Sequence, residues 1–325
     1  LTQRLARIAE VQMESPEKAI DVVKTFAKRW KDHQEANERL QQLYEDYEKW
    51  NALVDFLKDR VRELEASEGE HVEERIELLE RMADIYRDEL GLDVMVINTL
   101  NEVLDLDPSH DAAFEELREK LETNRRWNDL AELLSDRAEE AIEEQNTSRA
   151  VDYLLEVANV WQDNLKNVTQ AIPYLERVVE IAPERVDVRD QLREIFEERH
   201  DYASLFDLRF REAMLEEGSA REVELEDLEQ LARERLNDPE RSVKVLEALR
   251  DIRPEDEELV EKLEFIHRQR ENWEALAETL EAKAQVVTAE QARLEALREN
   301  ATVRDENLDD LDAAAAAWEE VLALA

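Results

Sequence analysis

No cysteine occurs among the 325 residues, and glycine and proline are scarce, at 3 and 6. The missing thiols exclude disulfides, zinc–thiolate centres and cysteine nucleophiles. They leave the compartment open, with the cytoplasm favoured. Gly plus Pro is under 3% of the chain, where average usage gives about 12%. An α/β, sandwich or barrel fold of this length needs many tight turns, so long helices joined by short polar connections are expected. The same count excludes the usual glycine-rich phosphate loop. Positive charge is also in deficit, with 43 Lys and Arg against 85 Asp and Glu and a formal net charge of −42. Phosphate recognition needs clustered cations, so no nucleic-acid partner is expected; basic partners, or none, are. No run of about 18 apolar residues is present, so no membrane insertion by a helix is expected, and Leu1 to Leu5 do not open a signal-peptide core. The chain starts at Leu1 rather than Met, so a processed chain or a segment of a longer one is expected. Apolar residues are plentiful at 43%, including 6 Trp, 6 Tyr and 7 Phe. That is too many for a disordered polyelectrolyte.

Two interleaved motif series run through the chain. In the first, an aromatic residue precedes leucine by three: Trp50–Leu53, Trp127–Leu130, Tyr202–Leu205 and Trp273–Leu276. The aromatic residues are 77, 75 and 71 apart. The second series is Ala19-Ile20, Val96-Ile97, Ala171-Ile172, Ser242-Val243 and Ala314-Ala315, with Pro108, Pro183 and Pro254 each 12 residues after the first member. From Ala19 to Leu53, Val96 to Leu130, Ala171 to Leu205 and Ser242 to Leu276 the separation is 34 every time. The unit is therefore 71 to 77 residues long and made of two helical hairpins.

This 34-residue recurrence resembles the tetratricopeptide repeat (TPR), a helix–turn–helix unit of that length. The family's second-helix pattern of a small residue, a large one four later, a small one seven later and Pro twelve later is matched by Ala171, Leu175, Val178 and Pro183. It is matched again by Val96, Leu100, Val103 and Pro108, and by Ser242, Leu246, Leu249 and Pro254. First-helix echoes are Met82-Ala83…Tyr86 and Val157-Ala158…Trp161, and in the alternate hairpins Leu40…Tyr44, Leu117…Leu121 and Leu192…Phe196. The family's glycine is replaced by Ala in one hairpin type and by Gln, Arg or Glu in the other, and the facing small residue by Leu53, Leu130, Leu205 or Leu276. Alternating tight and loose steps follow. The resemblance implies an all-α fold, a right-handed TPR-like solenoid of about nine hairpins in one array over residues 1–325. Its four-helix units run over roughly 1–70, 71–145, 146–218, 219–288 and 289–325 (partial). By the repeat's ruler Leu1 lies opposite Arg75 and Ala325 opposite Arg253, so neither end has a polar capping helix. A longer array, or assembly through open ends, is expected.

Local signals fit this phase. Ser15-Pro16-Glu17 and Asp238-Pro239-Glu240 read as helix starts. Gly69, Gly91 and Gly218 read as left-handed stops, and Pro173 as a first-turn residue or a modest kink. Catalytic and metal constellations are lacking. His33, His71, His110, His200 and His267 have no second His or Cys at helical spacing, and His267 takes the aromatic slot of Tyr44 and Phe196 as a half-buried ring. Asp105…Asp107 and Asp309…Asp312 lack the Gly and Glu of an EF-hand loop and read as helix-terminus turns. No enzyme activity, cofactor or metal is expected. Trp50, Trp127, Tyr202 and Trp273 are expected to staple hairpins together, whereas Trp30 and Trp318 break the pattern, with Trp30 the better candidate for an exposed contact.

In TPR-like stacks the first helix of each hairpin lines the concave groove. Carried over by position, the groove residues are Glu35, Glu38, Gln42 and Glu45; Ala112, Glu115, Glu119 and Glu122; Asp187, Asp190, Glu194 and Glu197; and Glu258, Glu261, Phe265 and Arg268. Glu77, Glu80, Asp84, Asp152, Glu226 and Glu229 are added by the intervening hairpins. The family's best-known groove captures C-terminal carboxylates with Lys and Asn, and the charge here is the opposite. The expected function is a protein–protein interaction scaffold that favours Lys/Arg-rich protein segments. The alternative is a structural array that assembles with neighbouring subunits and uses its acidic surface only for solvation.

Overall fold

The computed structural model describes residues 16–29, 33–67 and 71–324. Leu1, Ser15, Trp30, Gly69 and Ala325 lie outside these residues. The described residues are helical throughout and contain no strand. They form two compact units that divide between Ala171 and Ile172. The first unit holds α1 (Pro16–Arg29), α2 (Gln34–Asp46), α3 (Trp50–Glu65), α4 (Val72–Asp84), α5 (Asp93–Leu106), α6 (Asp111–Thr123), α7 (Trp127–Glu143) and α8 (Thr147–Asn159). The division falls within α9 (Val168–Ile181). The second unit continues with α10 (Val186–Glu198), α11 (Tyr202–Leu215), α12 (Gly218–Leu231), α13 (Pro239–Ile252), α14 (Glu257–Gln269), α15 (Trp273–Val286), α16 (Glu290–Glu306) and α17 (Leu311–Leu324). Each helix packs on its sequence neighbour, α1 through α8 in one unit and α10 through α17 in the other. That nearest-neighbour packing is the physics of a helical repeat.

The 34-residue phase is realised as anticipated. Ala19, Val96, Ala171 and Ser242 are buried in their helices, as are Leu53, Leu130, Leu205 and Leu276 in theirs. The four aromatic residues that lead the second motif series are the first residues of α3, α7, α11 and α15. Trp273 packs on Leu276, Ala277, Leu280 and Val303, so it joins α15 to α16.

The two hairpin types differ in how they turn. Where an aromatic residue follows, the turn centres on a residue with left-handed φ: Glu48 (51°), Arg125 (56°), His200 (55°) and Glu271 (54°). The next N–H reaches back five residues, Lys49 to Tyr44 O (2.7 Å), Arg126 to Leu121 O (2.9 Å), Asp201 to Phe196 O (2.8 Å) and Asn272 to His267 O (3.0 Å). This is the Schellman closure, which satisfies helix-terminal carbonyls that otherwise lack partners. In the other hairpins α4, α8 and α12 run on into single π-turns, Ile85–Glu89, Val160–Asn164 and Ala232–Leu236. There the closing bond spans six residues, Leu92 to Tyr86 O (2.9 Å), Asn167 to Trp161 O (2.8 Å) and Asp238 to Ala232 O (3.0 Å). Asp310 to Arg304 O (2.9 Å) repeats it after α16. The two hairpin types thus alternate in turn width.

One local reading is corrected and another narrowed. Pro173 lies inside α9, five residues after its first residue, which removes the first-turn alternative and keeps the in-helix one. The helix has already begun at Val168, so the ring removes the N–H that would bond to Thr169 O. Gly218, at φ 67°, opens α12 instead of stopping α11. The chain leaves α11 through extended Glu216 and Glu217, and a positive φ supplies the reversal into the next helix. Asp238-Pro239-Glu240 behaves as expected: the Asp238 carboxylate accepts from Glu240 N (3.0 Å) and Arg241 N (3.2 Å). Just past the end of α5, Asp107 closes a turn by accepting from Ser109 N and Oγ, at 3.0 and 2.7 Å.

A charged residue stands ten positions after each leading aromatic residue: Arg60, Arg137, Glu212 and Lys283. Its counterpart nineteen residues earlier, on the first helix of the same hairpin, is Gln41, Arg118, Arg193 and Glu264 in turn. In the third hairpin Arg193 Nε donates to Glu212 at 3.1 Å, and in the fourth Lys283 donates to Glu264 at 2.7 Å, the same pair with its charges exchanged. In the second, two arginines coincide and part company. Arg137 turns to Glu140 (2.6 Å) and lies 4.6 Å over the Phe114 ring, while Arg118 turns to Glu122 (3.3 Å) and Glu156 (3.0 Å). A desolvated charge is tolerable only when paired, so each hairpin has its own solution.

Candidate partner-binding face

Ion pairs tie the first helices of successive hairpins together. Arg81 of α4 bonds to Gln41 and Glu45 of α2. His110, which caps α6 by accepting from Ala113 N at 3.2 Å, lies 3.3 Å from Glu80 of α4. Arg87, after α4, reaches Glu116 of α6 at 2.6 Å, and Arg118 of α6 reaches Glu156 of α8 at 3.0 Å. In the first unit α2, α4, α6 and α8 therefore stand as neighbours in that order.

Their solvent-facing positions are acidic. Glu35, Glu38, Glu115, Glu119 and Glu122 are exposed, and Glu45 is half-buried beside Arg81. Glu77, Asp84 and Asp152 are exposed as well, with Glu80 half-buried. Charge converges at α6 and α8. Burial raises the Glu156 carboxyl above the usual carboxylate range, Arg118 opposes this, and Glu122, Glu115 and Asp152 push it further up. Two carboxylates, Glu122 and Glu156, share the Arg118 guanidinium, while Glu115 and Asp152 act on Glu156 without a cation of their own. Among the described residues, Glu115 and Glu119 have no ion pair. Glu156 is absent from the sequence-derived set. Its signal was Asp152, one helical turn earlier on the same face.

In the second unit more of the expected residues are neutralised within the chain. Asp187 is gripped by Arg185 at 2.9 and 2.7 Å, which holds its carboxyl below the usual range. Asp190 pairs with Arg193 (3.5 Å), Glu258 with Lys262 (2.8 Å), and Glu261 faces Lys283 (3.9 Å). Glu197 acts on Arg209. Glu194 is exposed and has no ion pair among the described residues. Phe265 is exposed, and Arg268 is bound by Glu264 and Glu299, each at 2.6 Å. Glu226 pairs with Arg253 at 3.0 Å and Glu229 lies 3.7 Å from Arg233. The acidic character of the expected track is therefore strongest on α6 and α8.

His267 is buried more deeply than a half-buried ring, and its burial lowers its proton affinity. His33 packs edge-on against Phe26 and His200 stacks on Tyr202. Among the described residues no three His, Asp or Glu side chains are grouped to hold a metal ion, and no helix is long and apolar enough to cross a membrane.

No protein-family model and no curated protein matches the chain. Solved structures similar to it include a tetratricopeptide repeat protein from Parabacteroides merdae, with 13% identity over 82% of this chain and 98% of that one and a TM-score of 0.28. The TPR2AB-domain:pHSP90-complex of yeast Sti1 is similar with 13% identity, 99% and 95% coverage and a TM-score of 0.27. The MamA protein is similar over 57% of this chain and 92% of its own, with 13% identity and a TM-score of 0.28. The hairpins themselves carry the fold assignment: the chain is an all-α, TPR-like helical repeat.

Proposed function

We propose that this chain is a protein–protein interaction scaffold whose first-helix face on α6 and α8 takes Lys/Arg-rich segments of a partner. The observation that supports it is the crowding of Glu115, Glu122 and Asp152 about the Glu156 carboxyl, where Arg118 pairs only with Glu122 and Glu156. Converging like charges raise the local potential, and a cationic segment relieves their repulsion and gains speed of association. Binding of a fluorescent Lys/Arg-rich peptide, followed across a salt series, tests this. Glu115→Gln, Glu119→Gln and Asp152→Asn together are expected to weaken binding roughly tenfold at low salt and to flatten its salt dependence. Unchanged affinity in that triple variant refutes the proposal.

A second reading, a structural array that assembles with neighbouring subunits, draws on the exposed apolar residues of α17. Leu311, Trp318 and Leu322 are exposed along that helix, and Trp318 takes the repeat position where Leu100, Leu175 and Leu246 are buried. Concentration-dependent growth in light scattering that Trp318→Glu abolishes would favour it over a discrete complex.

A further inference from the structure

In a chain with 85 acids and 43 bases, Arg221, the fourth residue of α12, has no ion pair among the described residues. Its Nε–H is buried without an acceptor, and Nη2 donates to the sulfur of Met214, near the end of α11, at 3.3 Å. The preceding repeat holds what is missing here. Arg149 takes the equivalent position on α8, where it reaches Asp111 at 3.3 Å and the Tyr153 hydroxyl at 3.4 Å. Val186 and Leu225 stand at the places of Asp111 and Tyr153, so both oxygen acceptors are lost. A thioether is a weak acceptor, and Arg221 is left with one. Met214 is 44% exposed, whereas Met82 is 3% exposed and Met95 half-buried. In a chain without cysteine, Met214 is thus the most exposed sulfur-bearing residue among the described residues.

We infer that Met214 is a reversible oxidation site whose sulfoxide oxygen becomes the acceptor that the Arg221 guanidinium lacks, so that peroxide tightens the junction of α11 and α12. The thioether sulfur attacks one oxygen of hydrogen peroxide with a lone pair. An S–O bond forms as the O–O bond breaks, sulfur loses two electrons, and the departing hydroxide takes up the remaining proton and leaves as water. Reductases of methionine sulfoxide reverse the step. Methionine oxidation usually loosens a fold, because it puts a polar group into an apolar core. Here the sulfur lies at an exposed helix end beside an unsatisfied cation, and the sign reverses. The unbranched side chain can turn its new oxygen to the guanidinium, and a charge-assisted N–H···O bond then replaces a weak N–H···S contact. Arg209 of α11 already joins Glu224 of α12 at 2.6 Å, so the new bond adds to a formed contact and little further ordering opposes it. This site does not depend on the first-helix face.

The test treats the full chain with dilute hydrogen peroxide and follows sulfoxides by peptide mapping and amide exchange by mass spectrometry. Met214 is expected to be oxidised before Met95 and Met82. Exchange in the last turn of α11 and the first turn of α12 is then expected to slow roughly fivefold, as a hydrogen bond to a charged group replaces a weak one. Arg221→Leu is expected to abolish that slowing. Met214→Leu keeps the apolar volume, and peroxide is expected to change nothing at the junction. Met214→Gln, whose side-chain carbonyl stands in for the sulfoxide oxygen, is expected to give the slowing without peroxide and to lose it when combined with Arg221→Leu. Oxidation of Met95 or Met82 ahead of Met214, faster or unchanged exchange in the oxidised parent, or slowing that persists in Arg221→Leu overturns the inference.

Discussion

Exchanging the charges of the third hairpin tests how these hairpins hold together. Glu212 is 8% exposed and receives Arg193 together with Arg189, which lies 3.6 Å away and is 18% exposed. Glu212→Lys replaces both attractions with repulsion in a desolvated place. Breaking a buried pair on one side costs about 3–5 kcal/mol. Arg193, at 39% exposed, can return to water, which sets the expectation at about 3 kcal/mol. Each kcal/mol moves the midpoint of a unit of this size by about 2–4 °C, so the second unit should melt roughly 6–12 °C lower. The fourth hairpin supplies the remedy, because it holds Val260, Glu264 and Lys283 where the third holds Arg189, Arg193 and Glu212. Arg189→Val with Arg193→Glu and Glu212→Lys should therefore recover most of the loss. Calorimetry of the single and triple variants, beside exposed Glu198→Lys as a control for net charge, reads this out. A single variant no worse than the control, or a triple variant that recovers nothing, refutes the reasoning.

Other expectations concern single positions. His267 is buried and its folded proton affinity is lowered, chiefly by desolvation. The unfolded chain then takes up the proton first as pH falls below about 6.5, so stability declines there. His267→Phe, which copies Phe196, should flatten that part of the stability curve in denaturant titrations at stepped pH; an unchanged slope contradicts the assignment. Asp238→Ala removes the cap of α13 and should cost about 1 kcal/mol, with amide exchange at Glu240 and Arg241 accelerated. Lys166 is held at φ 53°, where a side chain is strained, so Lys166→Gly should stabilise by about 0.5–1 kcal/mol in the same titrations, whereas Gly91→Ala at the equivalent turn should destabilise.

The recurring parts of the fold were readable because they rest on local chemistry. An aromatic residue that starts a helix, a proline that follows one and a leucine at fixed spacing each leave a mark in the chain. The π-widened turns leave none, since Ile85–Glu89, Val160–Asn164 and Ala232–Leu236 share almost no residues in common. They are a property of backbone closure. Pro173 was left between two alternatives for a related reason: the helix start at Val168 is set by the turn before it, and the proline only tolerates the result. On the acidic face, the exposed positions of α2 and α6 follow from helical period alone. Which carboxylates stay unneutralised depends on where long arginines reach, and Arg81, Arg118 and Arg185 select partners on neighbouring turns or helices that spacing does not specify. Glu156 is tertiary in the same sense.

Carbodiimide labelling of carboxylates, read by mass spectrometry with and without a bound Lys/Arg-rich peptide, addresses the central proposal most directly. The account predicts that Glu115, Glu119, Glu122 and Asp152 are protected together at low salt and released together at high salt, while exposed acids such as Glu198 label alike in both states. Protection spread evenly over the acidic surface, or none at those four residues with the peptide bound, would contradict it.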